Sequence, residues 1–98
     1  MIKIFISQPI KDRTINEIME ERHQAIEMVQ SLYHDSVEVI NPFYYDQPTQ
    51  KPLWLLGRNL EFMSSADVVV FTPNWKNHIN CKIEQFCAME YELESVEL

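Results

Sequence analysis

The sequence predicts a small doubly wound α/β domain, a parallel sheet of about four strands with three helices, occupying residues 1–98 as a single unit. Three observations point there. Short apolar runs alternate with longer segments of helical period. The run Asp67-Val68-Val69-Val70-Phe71 is apolar after its first residue, as in a strand covered on both faces of a parallel sheet. Ninety-eight residues, 46% of them hydrophobic, suffice for one core. Parallel neighbours need helical crossovers, so a β-α-β-α-β-α order wraps helices around both faces.

The first strand is the apolar run Ile2 to Ile6, ended by Ser7-Gln8-Pro9. Thr14-Ile15-Asn16-Glu17 fits a capping box, which starts the first helix. Ile15, Ile18, Ala25, Val29 and Leu32 then keep the helical period to about His34. Val37 to Ile40 forms the second strand, stopped by Asn41-Pro42, and Phe43 to Pro52 is an aromatic and polar loop of the length that often carries function. Leu53, Leu56, Leu60 and Met63 share one face of a second helix, Leu53 to Ser65. After the third strand, Asp67 to Phe71, the loop Thr72 to Asn80 carries Pro73, Trp75 and His78. Asn80 is placed to cap a third helix from about Cys81 to Tyr91. Residues 93–98 fit either an edge strand or a continuation of that helix.

Composition excludes several functions. The net charge of −7 argues against duplex nucleic acid, whose binding depends on clustered Lys and Arg. No run approaches the ~20 apolar residues of a membrane span. Gly57 is the one glycine, so neither a dinucleotide-binding loop nor a P-loop can form. His23, His34, His78, Cys81 and Cys87 have no metal-ligand spacing. Neither metal nor cofactor is therefore expected. Cys81 and Cys87 diverge on their helix and cannot bridge locally; reduced thiols and the lack of a signal peptide suit the cytoplasm.

Glu84 is the outstanding polar residue. With Cys87, Ala88 and Tyr91 at i+3, i+4 and i+7, it lies on the apolar stripe of the third helix, where an ordinary surface Glu has no place. Open α/β sheets present ligands at the carboxyl ends of their strands, and a helix starting just after a strand delivers its first turns to that rim. A carboxylate there can serve as nucleophile, base or hydroxyl-binding group. The same rim collects Ser7, Gln8 and Pro9 after the first strand, Asn41 to Asp46 after the second, and Thr72 to Glu84 after the third. Each has a plainer use: Ser7 forms a turn, Asp67 caps a strand start, Tyr44, Tyr45, Trp54 and Trp75 pack, and His78 is solvated.

Lys3-Ile4-Phe5-Ile6-Ser7-Gln8-Pro9, Ser65-Ala66-Asp67-Val68-Val69-Val70 and Asn80-Cys81-Lys82-Ile83-Glu84 with Ala88 and Tyr91 together resemble the nucleoside 2-deoxyribosyltransferase-like superfamily, which includes 2-deoxynucleoside 5′-phosphate N-hydrolases. The resemblance implies a flavodoxin-like subunit, working as a homodimer or larger homo-oligomer. In it, the glutamate matching Glu84 attacks the anomeric carbon of a nucleoside or nucleotide; in this chain His78 or Asp67 is expected in a supporting role. The rim residues together with positions compared through the resemblance give the candidate binding set Phe5, Ser7, Gln8, Pro9, Asn41, Phe43, Asn59, Trp75, Asn80 and Cys81. Phe5 replaces a tyrosine of the characterised members, Asn59 an acid and Asn80 a glycine. Three functions follow as expectations: cleavage or transfer at an N-glycosidic bond, nucleotide binding without turnover, or an interaction protein using its acidic tail.

Overall fold

Apolar residues on both faces of the central strands decide how the sheet is dressed. A computed structural model describes residues 1–43 and 51–98. In it, strands β1 (Ile2–Ser7), β2 (Val37–Val39), β3 (Val68–Phe71) and β4 (Glu94–Glu97) form one parallel sheet in the order β2-β1-β3-β4. Helices α1 (Ile15–Tyr33), α2 (Pro52–Met63) and α3 (Ile79–Glu90) complete the α/β fold. This is the flavodoxin-like arrangement, in which the chain steps from β1 to one side and then crosses to the other. Residues 93–98 resolve to the edge strand.

Ile4, Ile6, Val68 and Val70 project to one face, where they bury Ala25 and Val29 of α1. Phe5, Val69 and Phe71 project to the other and bury Met63 of α2 and Ala88 of α3. All four residues of β3 are buried, which accounts for their uninterrupted apolar character.

Helix boundaries follow local chemistry. Thr14 Oγ1 accepts from Glu17 N at 3.1 Å, capping α1, and His34 ends it in the left-handed region at φ 53°. Pro52 opens α2 at a position where its missing N–H is no loss. The third helix begins earlier than its sequence suggests. A 3₁₀ turn, Trp75–Asn77, leads directly into it, His78 rather than Asn80 is the N-cap, and the first helical bond runs from Lys82 N to His78 O at 3.0 Å. Asn80 is thus inside the helix, and its Nδ2 donates to Pro52 O at 2.9 Å, tying α3 to the start of α2. Glu84 accordingly stands in the second turn of α3.

Two residues of the predicted α1 stripe, Ile15 and Leu32, are exposed, while Arg22 is buried on it. Among the described residues, no helix is long and apolar enough to cross a membrane.

Candidate active site

The strand order reverses between β1 and β3, so the crevice forms where their carboxyl ends, Ser7 and Phe71, lie side by side. There the surface opens into a cleft of about 750 Å³. Glu84 lies at its base, only 1% exposed. Ser7 Oγ donates to Glu84 Oε1 at 2.7 Å, and Asn59 Nδ2 donates to Oε2 at 3.0 Å. Both oxygens are thereby fixed by neutral donors from β1 and α2. Burial pushes the Glu84 carboxyl above its ordinary pKa, and the bonds from Ser7 and Asn59 pull it partly back. None of the ion pairs among the described residues includes it.

The cleft wall comes from the loops after β1 and β2. The Asn41 side chain acts like a short piece of strand: its Oδ1 accepts from Ile6 N and its Nδ2 donates to Ile6 O, both at 2.8 Å. Gln8 Nε2 donates to Ile18 O and to Glu21 Oε1, each at 2.9 Å. Pro9 is buried, and its carbonyl accepts from Arg13 Nη1 at 2.9 Å. Arg13 also clamps Glu21 through two bonds of 2.8 and 3.1 Å. Burial opposes ionisation of Glu21, but the bonds from Arg13 and Gln8 outweigh it and hold the carboxyl below its ordinary pKa.

Cys81, His78, Asn80 and Phe43 also line the cleft. Burial pushes the Cys81 thiol up to about 11, despite its contact with Ser7, so it is a neutral wall group rather than a nucleophile. Both cysteines are free thiols. Among the described residues, no three His, Cys, Asp or Glu side chains group as a metal site.

Three candidates lie elsewhere. Asp67 sits at the amino end of β3, where its Oδ2 accepts from Lys3 N at 2.9 Å, so it pins the start of two strands at the rim opposite Glu84. Phe5 is fully buried core between the sheet and α2/α3. Trp75, in the 3₁₀ turn, packs tilted against Phe71 with ring centroids 5.2 Å apart and donates from Nε1 to Glu97 Oε1 of β4 at 2.6 Å. Tyr44, Tyr45 and Asp46 fall outside the described residues.

The sequence reading passed over Arg22. Only 8% exposed, it lines the same cleft, and its signal was available: it follows Ile18 by four residues and precedes Ala25 by three, a charge on the apolar stripe of α1. No family model, curated protein or solved structure matches the chain.

Proposed function

We propose that the cleft binds a nucleoside or nucleoside 5′-monophosphate and that Glu84 cleaves its N-glycosidic bond. The observation that carries this reading is a buried carboxylate whose two oxygens are held by neutral donors, Ser7 and Asn59, beside an open cleft. With no ion pair among the described residues to neutralise it, its charge is left to stabilise positive charge developing at C1′, and low-dielectric surroundings strengthen that effect. One Glu84 oxygen forms a bond to C1′ as the C1′–N bond breaks, and the electron pair leaves with the base. His78, which lines the cleft, supplies the proton to the departing nitrogen. Water, or a second base in transfer, then displaces Glu84 from the glycosyl ester.

A panel of deoxynucleosides and their 5′-monophosphates, followed by chromatography, should show free base. Glu84→Gln should lower the rate by more than about 10³-fold. Absence of base release across the panel at high enzyme concentration would overturn this reading.

Asn59 favours a second reading, binding without turnover, because an amide holds Glu84 but cannot deliver a proton as an acid does. That protein would be stabilised by the same ligands and return them intact. Assembly into a homodimer is part of both readings. Leu53 on α2 and Ile79, Phe86 and Met89 on α3 are exposed, an apolar surface that association would cover.

A further inference from the structure

Two amides on the α2 and α3 side of the cleft are tied crosswise between the helices. Asn59 of α2 donates from Nδ2 to Glu84 Oε2 at 3.0 Å, and Asn80 of α3 donates from Nδ2 to Pro52 O of α2 at 2.9 Å. Pro52, Leu55, Asn59, Asn80 and Glu84 all line the cleft. Asn80 precedes Glu84 by four residues, so the two share one face of α3, one turn apart, about 6 Å along its axis. That distance is on the scale of a nucleobase. A base joined to the carbon that meets Glu84, and lying along this seam, brings its far edge to Asn80. Leu55, one turn before Asn59 on α2, gives the seam an apolar member for the ring to pack against.

The bond to Pro52 decides what Asn80 offers a ligand. A backbone carbonyl only accepts, so the NH2 branch of the amide must turn to it. Oδ1 then takes the other branch of the planar group, as an acceptor with two lone pairs. Asn59 is oriented by the same logic, because the ionised Glu84 carboxylate also accepts only.

We propose that Asn80 is the specificity-determining residue of the cleft and that its Oδ1 accepts from an exocyclic amino group of the base. The substrate class is then nucleosides or nucleotides of amino-bearing bases, adenine or cytosine, rather than their oxo counterparts. An oxo base sets a carbonyl oxygen against Oδ1, two acceptors with no hydrogen between them, and a site built around a hydrogen bond rejects a ligand that cannot make it. The inference rests on the proposed function for the placement of the sugar at Glu84.

Matched pairs test it: deoxyadenosine against deoxyinosine and deoxycytidine against deoxyuridine, each also as the 5′-monophosphate. Affinity for the full chain is measured by calorimetry, with initial rates of base release alongside. The amino member of each pair that binds should bind at least about 10-fold more tightly than its oxo partner. Asn80→Ala should bring the two within about twofold, whereas Asn80→Asp, which retains an acceptor, should keep part of the preference. Equal affinities, or a preference for the oxo member, in the unaltered chain overturn the proposal without any variant. So does an amino preference that survives Asn80→Ala undiminished. Base release without amino preference would sink this inference alone; amino-selective binding with every ligand recovered intact would sink only the catalytic reading.

Discussion

At the amino rim of the sheet, polar groups meet in solvent: Lys3 N bonds to exposed Asp67, and the N-terminal ammonium lies 3.5 Å from exposed Asp35. At the carboxyl rim, Ser7, Arg22, Asn41, Thr72 and Glu84 are all buried. The two ends belong to the same strands, so the difference is not one of secondary structure. Polar burial is costly unless each group is bonded, and here every buried side-chain N or O among the described residues has a partner. The amino rim ties strands together; the carboxyl rim holds chemistry in fixed geometry.

The sharpest test of this contrast is an activity comparison across the rims. Glu84→Gln should reduce base release by more than about 10³-fold, whereas Asp67→Asn should leave kcat and KM within about twofold in the same assay. Equal losses would erase the functional distinction between the ends. Asn41→Ala comes next, because it strands the N–H and C=O of Ile6 in the buried rim: urea denaturation should show a loss of about 2–4 kcal/mol. Asp67→Ala at the solvent rim should cost only about 1 kcal/mol by the same measurement.

A pH comparison exposes the cost of the site itself. Burial raises the folded-state pKa of Glu84 above its unfolded value. Its contribution to stability is therefore fully present below the unfolded pKa and is lost as pH rises through the raised folded value. Glu84→Gln removes that loss, and the new amide can donate to Ser7 Oγ while still accepting from Asn59. The variant should melt higher than the parent at pH 7, with the gap closing toward pH 4; a constant gap would show that the carboxylate carries no such cost. Smallest of all, Trp75→Phe should shift stability by about 1 kcal/mol or less, since its bond to Glu97 is exposed, and should leave base release unchanged.

Most of the fold was legible because short, nearly continuous apolar runs mark the buried strands and a period of 3.6 marks the helices. Glu84 was legible for the same reason, as a charge where the period demands an apolar residue. Arg22 obeys that rule equally, a charge set between Ile18 and Ala25 on the apolar stripe of α1. Asn59 was a candidate through the resemblance alone, and its bond to Glu84 shows only in three dimensions because 25 residues separate the two. Trp75 and Asn80 were misplaced by one local event, the 3₁₀ turn that carries Trp75 and leads directly into α3. Asp67 precedes its strand, and that order alone puts it at the far rim from Glu84.

The outer strands of the sheet, β2 and β4, bear on whether it could be extended by another strand. One edge, β2, is three residues long, and the other, β4, carries Glu94 and Glu97 at its two ends. A short ladder at one margin and exposed carboxylates at the other both discourage strand-to-strand stacking of one sheet onto the next. Extension of the sheet is thus disfavoured at both margins, so the association proposed above would fall to the exposed apolar residues of α2 and of α3, the helix that carries Glu84.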